Sequence, residues 1–406
     1  MNKAIIVGGS MAGMLAANML IRKGWSVDIL ERTKGALEGR GAGIVPQRSL
    51  LAALERAGVS IQADIGIRVT KRVGYDIEGN PFATHLYDQY STSWSLIYNL
   101  LRDAFTKGRF HSGQNVTRIM HDRDSATAVV EGGRRFEGDL LIGADGMRST
   151  VRAVLFPNVE PRYAGYLAWR GMLDEKHASS EFVGQCFSAL NFTFPRGEEL
   201  IGYPVAGVDG RTDPGHRRFN IMWYRPIEPG AALRDMFTGI DGVHYEHGIP
   251  PSLVRPELIQ AMKQDAGRLL PPAFSDVIER MPGMFVQAIY DLRSDAMGKG
   301  RTALIGDAAF VARPHCGAGV SKAADDAAAL VTSLGKCDSV EQAIEDFSGT
   351  RTPAGNAAVD WAAHLGSYFQ IDGSGHRRSD FSETPPVSPQ YIIKHTGIEL
   401  SEVGDF

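Results

Sequence analysis

Residues Met1 to Glu31, MNKAIIVGGSMAGMLAANMLIRKGWSVDILE, decide how the chain is read. Lys3 to Val7 is an apolar run of strand length. It meets a turn of small residues, Gly8-Gly9-Ser10-Met11-Ala12-Gly13, and Leu15, Met19 and Leu20 then recur at helical spacing up to Lys23. Gly24 can stop that helix. Ser26 to Leu30 reads as a second strand, ending on Glu31. Strand, glycine-rich turn, helix, strand and acid stand in the order that binds the ADP half of a dinucleotide.

Each part has a physical task. Gly8 lets the chain leave its strand in a tight turn, and Gly13 lets the helix pack close to the sheet. The helix N-terminus offers free N–H groups and a positive dipole to a pyrophosphate. Glu31 can accept hydrogen bonds from ribose hydroxyls. The central glycine of the usual fingerprint is Ser10 here, so the turn reads GxSxxG. Serine is small enough for close backbone approach, and its hydroxyl can itself reach a phosphate. The segment defines an ADP-containing cofactor and leaves open which dinucleotide it is.

Two later stretches repeat the theme of a buried strand running into an acid. Gly138 to Arg152 (GDLLIGADGMRSTVR) carries Asp145-Gly146 directly after an apolar strand. That places Asp145 at the carboxyl edge of a sheet, where open α/β folds bind ligands, although taken alone an ordinary turn is the better explanation of an Asp-Gly after a strand. Gly300 to Ala309 (GRTALIGDAA) ends on Gly306-Asp307. Arg313-Pro-His-Cys-Gly-Ala-Gly319 follows, and then a helix containing Asp325-Asp326. Asp307 can accept from ribityl or ribose hydroxyls. Gly317 to Val320, at a helix N-terminus, can donate to an anionic ring edge.

Composition narrows the class. The 406 residues are 43% hydrophobic and 22% charged, enough for two or three domains with a substantial core. The net charge of -4 with both signs dispersed gives no argument for nucleic acid or a membrane surface. The three cysteines, Cys186, Cys316 and Cys337, are far apart; they suit a reducing cytoplasmic setting and form neither a disulfide framework nor a zinc ribbon. No apolar run approaches the roughly 18–20 residues that span a bilayer. His244 and His247 flank Glu246 without a supporting ligand cluster, so no metal site is expected.

The three motifs, at these spacings, resemble the FAD-dependent aromatic hydroxylases, the single-component flavoprotein monooxygenases of the para-hydroxybenzoate hydroxylase-like family. The resemblance runs from about Lys3 to Phe369. The wording YAGYLAWRG (Tyr163 to Gly171), GDAA followed by RPH, and KAADDA from Lys322 points to members acting on hydroxypyridine-like rings. It implies that Gly8, Ser10, Met11, Gly13, Glu31 and Arg32 bind the ADP part of FAD, that Val116 meets the adenine, and that Asp307 holds the ribityl or pyrophosphate. Pro314, Gly317, Gly319 and Val320 would line the isoalloxazine, and Asp145 would belong to a second fingerprint touching FAD and NAD(P)H. Three positions depart from the family pattern: Phe310 stands for His, Ala318 for Gln, and Trp94 for an FAD-steadying Arg that Arg40 or Arg102 could replace.

The implied fold is α/β, a Rossmann-like FAD-binding domain with an inserted mixed β-sheet substrate domain and C-terminal helices. The expected boundaries are 1–65, 93–162 and 291–335 for the FAD-binding domain, 66–92 and 163–290 for the substrate domain, and 336–406 for a C-terminal helix and extended tail. Residues 163–290 are rich in aromatics at strand spacing, including Tyr166, Trp169, Tyr203, Phe219, Trp223 and Tyr224.

With one dinucleotide fingerprint, NAD(P)H must visit a shared cleft, reduce the flavin and leave. Reduced flavin and O2 would give a C4a-hydroperoxide that donates hydroxyl to an electron-rich ring. A general base or proton relay is then expected. His315 is the first candidate, with Tyr203 and Tyr224 next. Arg170 could pair with an anionic substrate or with a structural carboxylate. Two other readings stay open, a flavin oxidase or reductase without oxygen insertion and a non-catalytic flavin-binding sensor. The expected partners are a small aromatic substrate and, at most, a second copy of the chain (monomer or homodimer), with no nucleic acid and no membrane.

Overall fold

The computed structural model describes every residue except 36, 38–42, 62–64, 247, 371–386 and 403–406. Arg40 and His247 therefore lie outside the described residues. Two sheets organise the rest. The first has six strands in the order Gly298–Lys299, Thr302–Leu304, Leu140–Gly143, Lys3–Val7, Ser26–Glu31, Arg109–Ser112, all parallel apart from the antiparallel first pair. Its central strands are continuous apolar runs because helices cover both faces. Met11–Arg22 packs on one side against Gly319–Leu334, and its first ten residues are buried. A three-stranded sheet, Val116–His121, Ala126–Val130 and Arg135–Gly138, forms the crossover into Leu140–Gly143.

The second sheet has eight strands. Met284–Asp291, Arg162–Asp174, Arg218–Pro226, Glu199–Val205 and Ala189–Thr193 come from the middle of the chain. Ile67–Tyr75, Pro81–Ser93 and Gly43–Ile44 complete it. The strands from the middle of the chain are buried on both faces, and their two-residue period sorts side chains between them. Leu167, Trp169, Phe219, Ile221 and Trp223 face a core closed by the helices Pro256–Leu269 and Pro272–Arg280. Tyr166, Ala168, Ile201, Tyr203, Met222 and Tyr224 face the other way, toward the first sheet. The cleft lies between that face and the carboxyl ends of the parallel strands.

One local reading changes. The strand read in Phe187 to Phe194 is present as Ala189–Thr193, and it follows a short helix, Ser180–Cys186. Ser179 caps that helix, its hydroxyl accepting from the Phe182 N–H. The C-terminal segment, expected as an extended tail, contains the helix Pro389–His395, started by Ser388 as its cap and by Pro389 in its first turn. This helix docks on Ile67–Tyr75 and Pro81–Ser93. The guanidinium of Arg72, itself wholly buried, donates to the carbonyls of Ile393 and Lys394 at 3.3 and 2.8 Å. Among the described residues no helix is long and apolar enough to cross a membrane.

Candidate active site

The glycine turn is built for close approach. Gly8 has φ +103°, and a Cβ there would lie 2.3 Å from the Ala144 carbonyl oxygen. A Cβ on Gly13 would lie 2.0 Å from the Gly8 carbonyl oxygen, so the helix Met11–Arg22 can start this close to its strand only with glycine at both places. Ser10 caps the helix in extended conformation with no side-chain bond, and the first helical bond is Met14 N–H to Ser10 C=O. The N–H groups of Met11, Ala12 and Gly13 thus have no protein acceptor among the described residues. A pyrophosphate would supply one.

Glu31 closes the turn differently from the sequence reading. Its carboxylate accepts from the backbone N–H groups of Gly9 and Thr33, both at 2.9 Å, and is nearly buried. It fixes the turn while still lining the cleft. Arg32 and Val116 line the same cavity of about 310 Å³, together with Gln114 and Trp94. Trp94, where the family has Arg, stacks on Tyr98 at 4.6 Å between ring centroids and offers a flat wall instead of a charge. Arg102 is turned away, over the Phe110 ring at 4.2 Å.

Asp145 and Asp307 are held in opposite ways. Asp145 is committed to protein: its oxygens accept from the Ser149 hydroxyl at 2.5 Å and the Thr150 N–H at 2.7 Å, pinning the start of the helix Thr150–Leu155. Asp307 has no protein partner among the described residues and projects into the cleft. Its side chain is exposed in the cleft, yet desolvation by the protein around it raises its pKa against the pull of Lys322. It is held from behind. Gly306 takes φ +61° against Ala12, and its N–H donates to Asp326 at 3.0 Å. Lys322, wholly buried, donates to the Gly306 carbonyl at 3.0 Å, and Arg351 pairs with Asp326 at 3.0 Å. The KAADD run therefore works as the support of Asp307. Arg152 ties the two Asp turns together, donating to the carbonyls of Met147 at 2.6 Å and Ala308 at 3.0 Å.

A second cavity of about 370 Å³ continues the first through Ser10, Trp94, Ala144 and Gly146. One side is the turn Pro314 to Val320 with Met11 and Asp307; the other is the sheet face with Arg170, Tyr203, Met222 and Gln287. Gly317 has φ +70°, and the helix Gly319–Leu334 begins with no side-chain cap. Among the described residues its first N–H groups, including those of Gly319 and Val320, meet no acceptor, as a bound ring edge would require. Phe310, where the family has His, is wholly buried against Gly355. Ala318 fills a small apolar cluster with Trp361 and Ile398.

His315 lines this cavity and is 2% exposed. Its Nε2 lies 2.7 Å from the Tyr166 hydroxyl. Burial, then the Arg313 charge, drives its pKa well below the usual imidazole value, so it is neutral. Arg313 is itself held by Asp291 at 2.6 Å. Tyr203 lines the cavity, its pKa pushed up to about 12 by burial. Tyr224 does not reach it: this ring lies wholly buried behind His315, its hydroxyl 3.5 Å from the Met222 sulfur. Thr396, from the far end of the chain, does reach it. It is 2% exposed, its hydroxyl has no partner among the described residues, and the neighbouring Gly397 N–H donates to the Cys316 carbonyl at 3.0 Å. Sequence reasoning named neither Tyr166 nor Thr396 for the site, and only the strand parity of Tyr166 signalled which face it would take.

A free helix start, a glycine cradle and an unpaired Asp307 at the far wall fit a flavin dinucleotide. FAD binding domain models match the chain over residues 1–185 and, in the domain-like form, over residues 163–291. The chain is a flavoprotein monooxygenase, similar to the FAD-dependent aromatic hydroxylases. It is 29% identical over 374 residues to 2,6-dihydroxypyridine 3-monooxygenase of Paenarthrobacter nicotinovorans, covering 92% of this chain and 93% of that one. The solved structure of 2,6-dihydroxypyridine-3-hydroxylase from Arthrobacter nicotinovorans superposes with a TM-score of 0.86 at 28% identity, over 93% of this chain and 94% of that one. Klebsiella pneumoniae HpxO, solved with FAD and uric acid, shares the fold with a TM-score of 0.70 at 20% identity, over 91% of this chain and 88% of that one.

Proposed function

We propose that the protein hydroxylates a small electron-rich aromatic or N-heteroaromatic ring of the hydroxypyridine type, with NAD(P)H as reductant and O2 as oxidant. The observation that carries this reading is the continuous cleft that starts at the dinucleotide turn and ends on His315, buried and bonded to Tyr166. FAD, when bound, supplies the transfer of electrons from nicotinamide to oxygen. The chain supplies the rest. Met11 to Gly13 would hold the pyrophosphate, Asp307 the ribityl hydroxyls, and Gly317 to Val320 the polar edge of the ring system. Ile201, Tyr203 and Met222 give the substrate a mostly apolar wall that limits water.

The Tyr166–His315 pair engages the ring hydroxyl. Burial and Arg313 disfavour imidazolium, so His315 accepts a hydrogen bond from that hydroxyl without storing charge, and the Tyr166 hydroxyl fixes the imidazole. The relatives named for dihydroxypyridine support the substrate type. There is no second glycine-rich dinucleotide turn, so NAD(P)H would bind in passing.

The test is turnover of hydroxypyridines and hydroxybenzoates with NAD(P)H under labelled O2. Label in a hydroxylated product supports the reading. Stimulated NAD(P)H oxidation without label in any product replaces it with an oxidase or reductase.

A further inference from the structure

We propose that Thr396, brought in from the far end of the chain, hydrogen-bonds the polar edge of the flavin ring through its side-chain hydroxyl, so that the C-terminal segment takes part in holding the cofactor. This rests on the placement of that edge along Gly317 to Val320 given above, and it adds a residue that lies outside every glycine fingerprint.

Thr396 follows the helix Pro389–His395, and its N–H donates to the Ile392 carbonyl at 2.9 Å. A threonine in a helix or just past its end can turn its hydroxyl back on the carbonyl four residues earlier. Thr238, Thr332 and Thr350 do so, donating to the carbonyls of Arg234, Ala328 and Asp346 at 2.8, 2.7 and 2.9 Å. Thr396 does not. Its hydroxyl is shut off from solvent and meets no partner among the described residues. A buried hydroxyl left in that condition is destabilising unless something else bonds it. The other buried serine and threonine hydroxyls without a partner among the described residues are those of Thr92, Thr302 and Ser321, and of these residues only Thr396 lines the cleft.

The residues around Thr396 fix where it stands. Arg72 caps the preceding helix at Ile393 and Lys394, and Ile398 joins Ala318 and Trp361 in one apolar cluster. Gly397 takes φ +66°, its N–H donates to the Cys316 carbonyl at 3.0 Å, and a Cβ on it would meet Val45 at 3.4 Å. Thr396 is thereby lodged between Val45 and the turn at Cys316 and Gly317, on the wall that also carries the unbonded N–H groups of Gly319 and Val320. Those N–H groups only donate, whereas a hydroxyl both donates and accepts. The pyrimidine edge of an isoalloxazine sets an N–H donor between carbonyl acceptors. Backbone N–H groups serve its carbonyls alone, and a threonine hydroxyl beside them can serve either kind of group.

The test titrates the full-length apoprotein with FAD and with ADP, as wild type, Thr396→Val and Thr396→Ser. ADP reaches only the glycine-turn end, so it reports whether the fold and that half of the cleft are intact. Thr396→Val should bind FAD about tenfold more weakly, the scale of a buried group losing its hydrogen-bond partner, with ADP affinity unchanged. Thr396→Ser, which keeps the hydroxyl, should retain wild-type FAD affinity. In infrared difference spectra of the FAD-loaded proteins, the carbonyl and N–H bands of the ring's polar edge should shift in the valine variant and stay in place in the serine variant. Undiminished FAD affinity in Thr396→Val, unshifted bands, or a loss shared equally by FAD and ADP overturns the role of Thr396. A wild type that binds FAD no more tightly than ADP would instead overturn the placement of the ring edge, and this proposal with it. No arm depends on turnover, so a failure to incorporate labelled oxygen would sink the hydroxylase reading and leave the Thr396 contact standing.

Discussion

The Tyr166 hydroxyl and His315 Nε2 lie 2.7 Å apart, joined across 149 residues of sequence and sealed by Gly366. A Cβ on Gly366 would sit 3.0 Å from the Tyr166 oxygen and 3.1 Å from Nε2. Tyr166→Phe should lower kcat by about 10²-fold, the scale of a lost proton-transfer partner, with FAD affinity unchanged. Gly366→Ala should act in the same direction by wedging the pair apart. Since burial and Arg313 keep His315 neutral, the pH–rate profile should show no inflection near the ordinary imidazole value of about 6.5. Full activity in Tyr166→Phe would remove the pair's role.

The contrast between Asp145 and Asp307 separates folding from cofactor retention. Asp307→Ala breaks no protein bond, so it should weaken FAD about 10- to 100-fold with little change in apoprotein Tm. Asp145→Ala releases the start of Thr150–Leu155 and should cost about 1 kcal/mol of stability, as a lost helix cap does, with a smaller effect on FAD. Fluorescence titration of the apoprotein with FAD, alongside thermal melts, checks both. Equal FAD loss in the two variants would remove the role assigned to Asp307.

Behind Asp307, the Lys322–Asp326–Arg351 group is a buried ionic support. Asp326→Ala strands two cations and frees the Gly306 N–H, and it should destabilise the fold by about 3–5 kcal/mol. Denaturant unfolding reads the loss. A change below about 1 kcal/mol would mean that the group contributes little to holding the turn.

The C-terminal helix is pinned by an aromatic and histidine cluster, and acid should loosen it. His364 and His395 pack around Tyr391, and His85 stacks on Tyr87. Burial, then the charges of Arg72, Lys394 and neighbouring histidines, lowers the pKa of all three imidazoles. The unfolded chain therefore takes up protons more readily. The stability they contribute is complete above about pH 6.5 and is lost as pH falls below it toward the folded values. Hydrogen exchange across residues 389–398 should accelerate through that window, whereas exchange in Lys3–Val7 should not. Identical pH responses in the two segments would count against a local cluster effect.

Much of this architecture could be read from contiguous sequence. The turn after Lys3–Val7, the Asp-Gly at Asp145 and the Gly-Asp at Asp307 each combine an apolar strand, a backbone constraint and an acid within a few residues. What could not be read depends on tertiary juxtaposition. Glu31 satisfies backbone N–H groups because the turn folds back over it. Asp145 caps a helix because Ser149 and Thr150 follow it at the right distance. Tyr224 looks identical to Tyr203 in sequence, both on strands of the aromatic-rich sheet, and only packing puts one in the cleft and the other behind His315. Thr396 enters from a segment with none of the periodicity that marks a core.

Gly397 and Gly317 meet so closely that a Cβ on Gly317 would lie 2.9 Å from the Gly397 Cα, and the Gln47 side chain donates to the Ile398 carbonyl at 2.5 Å. The order of synthesis then matters. When the nucleotide-binding turn near residue 10 leaves the ribosome, and even when residues 306–320 have followed, the wall supplied by residues 396–398 does not yet exist. The cavity lined by His315 and Gly317 is complete only once translation has passed Thr396. A chain broken off before that point keeps every glycine fingerprint and lacks one wall of that cavity.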